Sequence, residues 1–283
     1  MSLREVIAEY ARAKKALGHF NISDSNQLHA IAQASKETGL PVIVGLSEGE
    51  REHFTLLEAR GLIDAYIKEG LPLYLNADHT YSVEKAKAAI DAGVDSIVVD
   101  GAQLPLSNNS AMTKQVVAYA RASGRDVVVE GELGYIGTSS KPLDALPEGV
   151  SLENLTSVHD AKKFVSETGV DCLAPAIGNV HGMLKNAQEP RLHPERVKEL
   201  ADAVGIPLVL HGASGNTEED IRACIKAGIA IVHINTEFRV TYHDALKNSL
   251  EKSDDVAPYK FLAPAEIAMK EFLVSKLKLF ANL

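Results

Sequence analysis

The stretch Gly70-Leu-Pro-Leu-Tyr-Leu-Asn-Ala-Asp-His-Thr80 decides how this chain is read. Its glycine can take the left-handed conformation that ends a helix, and its proline releases the backbone into an extended run. Leu73 to Asn76 then reads as a short buried strand, which ends by presenting Asp78 and His79 side by side. Ser82 is placed to open a helix just after. The same punctuation, a glycine, one residue, then Pro, Asp or Ala, recurs at Gly39-Leu-Pro, Gly93-Val-Asp, Gly124-Arg-Asp, Gly169-Val-Asp, Gly205-Ile-Pro and Gly228-Ile-Ala. Helical spacing precedes these glycines. Ile221, Cys224, Ile225 and Gly228 fall at i, i+3, i+4 and i+7, and Val83, Ala86, Ile90 and Gly93 keep one face in the same way. Ser157 and Thr217 are further N-cap signals, with Asp160 and Asp220 three residues on.

Near-continuous apolar runs follow the glycines, at about Val42–Val44, Leu73–Asn76, Ile97–Asp100, Val127–Glu130, Cys172–Ile177, Leu208–His211 and Ile231–Ile234. Gly18-His-Phe-Asn-Ile22 near the start makes eight. Apolar strands alternating with amphipathic helices imply parallel strands covered by helices. The expected fold is of the α/β class, a (β/α)8 TIM barrel forming one domain over residues 1–283. A doubly wound open sheet would place G-x-G-x-x-G after the first strand, and no such motif stands there. After Asp254, Pro258 and Pro264 lead into an apolar helix from Glu266 to Phe280. This C-terminal extension, about residues 254–283, suits closing the barrel or packing on a partner subunit.

The composition is that of an ordinary globular protein, 46% hydrophobic and 24% charged. A net charge of −9 argues against a general nucleic-acid or acidic-membrane surface. It leaves room for a small anion, which needs only backbone amides and one or two cations. Cys172 and Cys224 lie in apolar surroundings without a C-x-x-C pattern and read as buried free thiols. The N-terminus lacks an apolar leader and no run is long enough to span a bilayer, so a cytoplasmic location is expected.

In a barrel, function sits at the C-terminal strand ends, and the polar residues collect there: Asn21, Ser47, Asp78, His79, Asp100, Glu130, Glu132, His181, His211, Asn235 and Thr236. Ala176-Ile-Gly-Asn-Val-His181 and Leu208-Val-Leu-His211 end as the Asp78-His79 strand does. Three imidazoles from three strand ends can converge on one zinc and leave a position open for substrate. Zinc held this way is a Lewis acid suited to a hydroxy-ketone and its enediolate. Asp78, beside a ligand, is better placed as a general acid/base than as a fourth ligand. Asp100 and Glu132 read as partners that orient the imidazoles, or as an alternative metal position. Two glycine-bearing loops carry anion signals. Gly182-Met-Leu-Lys185 offers amides and a cation, and Gly212-Ala213-Ser214-Gly215 leads into the helix capped by Thr217.

These motifs together make the chain resemble the class II, metal-dependent fructose-bisphosphate aldolase family, the group that includes tagatose-bisphosphate aldolase. The resemblance runs from Gly18-His-Phe-Asn21 through about Phe238. It takes in Pro41-Val-Ile-Val-Gly-Leu-Ser47, Asp78-His79, Val99-Asp100-Gly101, Glu130-Gly-Glu132-Leu-Gly134, Gly178-Asn-Val-His181-Gly182 and Leu210-His211-Gly-Ala-Ser214-Gly215. It implies zinc on His79, His181 and His211, Asp78 as the acid/base at the aldehyde-derived hydroxyl, and Glu132 and Asp100 near a second metal position. It implies that Gly182, Lys185, Gly212, Ala213, Ser214 and Thr236 hold the phosphate of dihydroxyacetone phosphate. A monovalent cation, Na+ or K+, would assist there through backbone at Val180, Gly182 and Gly212 and through Ser214. Asn21 and Ser47 would face the glyceraldehyde phosphate half, and a homodimer or larger homo-oligomer is implied.

Two departures stand out. The family follows Glu-Leu-Gly with a glycine pair and a loop glutamate that moves the proton on the hydroxymethyl carbon. Here the loop reads Tyr135-Ile-Gly-Thr-Ser-Ser-Lys-Pro142, and its first acids are Asp144 and Glu148, which become the candidate loop bases. On the last strand His233 stands where an asparagine usually contacts the enediolate, with Asn235 two residues on and on the same face. The function implied is zinc-dependent cleavage of fructose 1,6-bisphosphate to two triose phosphates. The alternatives are a tagatose-bisphosphate or other ketose-phosphate aldolase, and a barrel that binds sugar phosphates without turnover.

Overall fold

The computed structural model describes residues 1–150 and 154–283. Its strands are β1 (Leu17–Asn21), β2 (Val42–Leu46), β3 (Leu73–Thr80), β4 (Ser96–Val99), β5 (Val128–Leu133), β6 (Pro142–Leu143), β7 (Cys172–Pro175), β8 (Met183–Leu184), β9 (Leu208–Leu210) and β10 (Ile229–Ile234). Eight of them close into a barrel in the order β1-β10-β9-β7-β5-β4-β3-β2, every neighbour pair parallel. Helices surround it, so this is the (β/α)8 architecture that the repeated punctuation predicts. All seven punctuating glycines have positive φ, from 67° at Gly39 to 147° at Gly228. Ser82, Ser157 and Thr217 each cap a helix by accepting the amide three residues on.

Side chains alternate in and out along each strand, and this parity sorts the barrel into layers. Leu17, Ile43, Val128, Cys172, Val209 and Ile231 fill the lower interior with Leu3, Val6 and Ile7 of the N-terminal helix Leu3–Arg12 packed against them. Two residues further along four of these strands stand His19, Glu130, His211 and His233, all buried. The interior is therefore apolar below and polar above. Outward residues such as Phe20, Val44, Ile97, Leu210 and Ile234 pack under the helices.

The C-terminal helix Ala263–Phe280 lies against helices Ser25–Thr38 and Thr236–Lys252 and against β1. Phe280 stacks on Phe20 at 6.5 Å and Phe272 on Phe238 at 6.1 Å. The helix thus covers the seam between the first and last strands, and Ile267 on its other side is exposed. Strands β6 and β8 form a separate two-stranded parallel sheet that ties the loop after β5 to the loop after β7. The sequence reading missed this small sheet, because two-residue strands carry no periodicity. Cys172 and Cys224 are buried free thiols. Among the described residues no helix is long and apolar enough to cross a membrane.

Candidate active site at the strand ends

His79, His181 and His211 meet at the upper mouth of the barrel, with ring centroids 4.8, 5.0 and 5.8 Å apart. Each ring has one nitrogen anchored by the protein. His79 Nδ1 lies 3.0 Å from Asp100 Oδ2 and 3.3 Å from Glu132 Oε2. His181 Nδ1 donates to the Gly137 carbonyl at 2.6 Å, and His211 Nε2 lies 2.7 Å from Glu130 Oε1. The nitrogens left over are His79 Nε2, His181 Nε2 and His211 Nδ1, and the last is buried without a partner. Anchoring one imidazole nitrogen while freeing the other is how proteins hold metal-binding histidines.

The electrostatics agree. Burial, then Asp78 and Glu132, push the Glu130 carboxyl well above its usual range. Burial and Asp100 push Glu132 up to about 7. Burial works against charge on His79, but Asp78, Glu132 and Asp100 outweigh it and hold that imidazole well above its usual range. Burial and the neighbouring His79 push His181 down to about 4. Four carboxylates, Asp78, Asp100, Glu130 and Glu132, are thus crowded into a buried site where three histidines each bring a ring nitrogen within 4.8 Å of the others. A divalent cation among those nitrogens would offset the crowding, and three imidazole donors with room for substrate suit one. The residues present fit a metal ion.

Asp78 lies beside the triad, its Oδ2 3.9 Å from His79 Nε2. Asn21 Nδ2 donates to this Oδ2 at 2.9 Å and to Glu50 Oε2 at 2.8 Å, bridging two buried carboxylates. Asp78 Oδ1 has no hydrogen-bond partner, and His233 Nδ1 lies 3.6 Å from it. Burial would raise the Asp78 carboxyl, but His79, His233 and His19 overcome it and hold the group well below its usual range. Arg51 Nη2 donates to the carbonyls of Asp78 and His79 at 2.9 and 3.3 Å and clamps the backbone of this strand end.

The same pocket is lined by Asn21, Ser47, Gly182, Gly212, Ser214, Asn235 and Thr236, together with Ser139 and Ser140. The loops after β7 and β9 pack so closely that a Cβ on Gly212 would sit 2.4 Å from the Val180 carbonyl oxygen. Helix Thr236–Lys252 starts at this pocket, and its N-terminal amides and dipole favour an anion there. Ser214 Oγ accepts the Glu237 amide at 3.2 Å.

Some expected residues stand elsewhere. The Ala213 amide donates to the His233 carbonyl at 3.3 Å, which occupies it within the protein. Lys185 does not line the pocket; its Nζ lies 3.1 Å from both oxygens of Asp144, and both residues are exposed. Glu148 is exposed as well, so neither loop acid faces Asp78 in this structure. Other site residues went unread. Glu50 closes a Ser47-x-x-Glu50 capping signal, visible in sequence as a helix start but not as a partner of Asn21. Arg239, one turn into helix Thr236–Lys252, pairs with Glu50 and donates to the Ser140 carbonyl at 3.3 Å. No spacing rule connects residues from such distant parts of the chain.

Comparison with known proteins gives this site a lineage. Residues 1–282 match the family model described as fructose-bisphosphate aldolase class-II. The fructose-bisphosphate aldolase of Geobacillus stearothermophilus is 36% identical over 288 aligned residues, covering 100% of this chain and 97% of the relative. The Staphylococcus aureus (strain Mu50) fructose-bisphosphate aldolase is 35% identical over the same extent. The crystal structure of the YdjI aldolase from Escherichia coli K12 superposes with a TM-score of 0.85 at 29% identity, covering 99% of this chain and 96% of that one. With the fold, the strand-end constellation and near-complete coverage in agreement, the chain belongs to the class II fructose-bisphosphate aldolases, a family of carbon–carbon lyases.

Proposed function

We propose that this protein cleaves fructose 1,6-bisphosphate reversibly to dihydroxyacetone phosphate and glyceraldehyde 3-phosphate, with zinc as its metal. The observation that carries this reading is the meeting of His79, His181 and His211, each bringing one ring nitrogen within 4.8 Å of the others, beside Asp78 and next to a loop and helix N-terminus suited to a phosphate. Zinc held by the three imidazoles would supply Lewis acidity toward the ketose oxygens. Asp78 takes the proton of the C4 hydroxyl, whose O–H electron pair becomes the new carbonyl bond. The C3–C4 bond breaks, and its electron pair stays on the dihydroxyacetone phosphate fragment as an enediolate. Asn21 holds Asp78 for this transfer and Ser47 stands on the aldehyde side. Gly182, Gly212, Ser214, Asn235 and Thr236 take the other phosphate, where Na+ or K+ would be held by backbone at Val180, Gly182 and Gly212 and by Ser214. Asp100 and Glu132 hold His79 and would supply a second metal position. Protonation of the enediolate carbon falls to the loop after β5, whose first acids, Asp144 and Glu148, are the candidates.

The role is that of a cytoplasmic enzyme of sugar breakdown and synthesis, acting as a homo-oligomer of one-domain subunits. The test is triose phosphate release from fructose 1,6-bisphosphate before and after chelation, with zinc added back. Activity is expected to vanish with chelator and return with zinc. Chelator-resistant cleavage would remove the three histidines from the chemistry. Zinc-loaded protein that leaves fructose 1,6-bisphosphate intact but cleaves tagatose 1,6-bisphosphate would change the sugar, and binding without turnover of either would make it a sugar-phosphate-binding barrel.

A further inference from the structure

Below Asp78 the upper barrel interior holds two further imidazoles that the cleavage chemistry leaves without a task. His19 on β1 and His233 on β10 are register partners on adjacent parallel strands. Both face inward, and their rings stack at 3.5 Å with an interplanar angle of 7°. The His233 ring lies in turn on His211 at 4.0 Å and 25°. His19 is fixed from outside this stack. Asn76 Nδ2 donates to Ser96 Oγ at 2.7 Å, which turns Asn76 Oδ1 toward His19 Nε2 at 3.1 Å. The neighbouring strand leaves room for the ring, since a Cβ on Gly45 would sit 2.2 Å from His19 Cε1.

His19, Asp78 and His233 bring their ligand atoms close enough to suggest a metal. The stacking argues otherwise. An imidazole lone pair lies in its ring plane, and two nearly parallel planes 3.5 Å apart do not meet on one ion. Within the stack, His233 Nδ1 lies 3.6 Å from the one oxygen of Asp78 without a partner. That distance exceeds a formed hydrogen bond, and contacts of this kind in catalytic sites tighten when substrate is bound.

We propose that His19 and His233 form a stacked positioning pair for Asp78: His233 offers the N–H that holds Asp78 Oδ1, and His19 sets the plane of the His233 ring. Asn21 and His233 then grip the two oxygens of Asp78 from opposite sides and aim it at the hydroxyl proton. This assigns His233 to the acid/base residue rather than to the enediolate. It rests on the proposed aldol cleavage, in which Asp78 moves a proton only when the C3–C4 bond is made or broken. Exchange of the hydroxymethyl proton of dihydroxyacetone phosphate alone does not use that transfer.

The experiment measures both reactions in the zinc-loaded enzyme: steady-state cleavage of fructose 1,6-bisphosphate, and proton exchange of dihydroxyacetone phosphate with deuterium oxide. In His233→Ala, kcat for cleavage is expected to fall roughly 10–100-fold, with exchange keeping most of its rate and zinc content unchanged. His19→Gln, which retains a donor for Asn76 but no flat ring, is expected to show the same split in smaller degree. The double variant should be no slower than His233→Ala alone, because residues acting as a unit are not additive. Exchange falling in step with cleavage would place His233 on the enediolate and overturn the proposal. Zinc loss from His233→Ala, or additive effects in the double variant, would overturn it too. Should His19→Gln not fold, Gly45→Ala displaces the same ring and must reproduce the split. If the wild-type enzyme performed neither reaction, the aldolase reading itself would fail; wild-type activity in both with no split in the variants would defeat the positioning pair alone.

Discussion

Asp78 and His79 are neighbours in sequence, and in an ideal strand their side chains would face opposite sides of the sheet. Both reach the site because the strand slips. Ala77 pairs with Ile97 and Thr80 with Val99, so three steps on β3 oppose two on β4. The extra residue forms a bulge, and His79 takes a positive φ of 37°, a conformation that costs a non-glycine residue energy. Arg51 holds the two carbonyls at this point. The strain puts the acid and the imidazole beside one another. Replacing Asp78 by Ala should lower cleavage by roughly 10²–10⁴-fold while one equivalent of zinc stays bound, and His181→Ala should lose both. Metal analysis alongside the assay separates the two roles; zinc loss from Asp78→Ala would make Asp78 a ligand. At this scale the three histidines were legible because each ends an apolar run. The surroundings of Asp78 were not: Asn21, the Glu50 that Asn21 also holds, and His233 come from strands and helices that meet only through barrel closure.

At the scale of elements, one junction fastens the barrel floor. Arg4 of the N-terminal helix and Arg121 of helix Leu106–Ala122 reach the Asp171 carboxylate at 2.5 and 2.6 Å, and the Val129 amide donates to it at 2.8 Å. Burial would raise the Asp171 carboxyl, but these donors outweigh it and hold the group below its usual value. The sign follows from linkage. A lowered folded pKa gives stability that is present above the unfolded value of about 3.9 and is lost as pH falls through the folded one. Asp171→Ala is therefore expected to lower stability at pH 7 by roughly 1–3 kcal/mol, the cost of leaving the Val129 amide unpaired and two guanidinium groups short of one acceptor. The gap from wild type should close as both are titrated to strongly acidic pH. Urea midpoints of the metal-free proteins at several pH values check this, and a gap independent of pH would mean the loss is packing. The helix caps and glycine stops of these elements were readable locally; the Arg4–Asp171 contact, 167 residues apart, was not.

For the whole molecule, closure is the organising fact. A barrel has no free sheet edge, so the first and last strands must pair, and β1 and β10 do. The outer ring needs a cover over the same seam, and the C-terminal helix provides it through Phe280, Leu277 and Leu273, all buried. Phe280→Ala is expected to cost roughly 3–5 kcal/mol, read from chemical denaturation, with the zinc content of the folded fraction unchanged. Zinc loss without destabilisation would tie the helix to the site instead of the fold.

By itself, the sequence determined the alternation of strand and helix, the sites of chain reversal, and which strand ends gather the polar residues of the candidate site. These are local matters: helix stops, caps and the side-chain period of two act within a few residues. It also carried the family likeness, since the motifs are short local runs at the strand ends. Only the tertiary structure decided which nitrogen of each imidazole is free, how β3 slips to deliver two adjacent side chains, and that His19 stacks on His233. Those depend on the register of strands far apart in the chain, and register is set by closing the barrel, which no single stretch encodes.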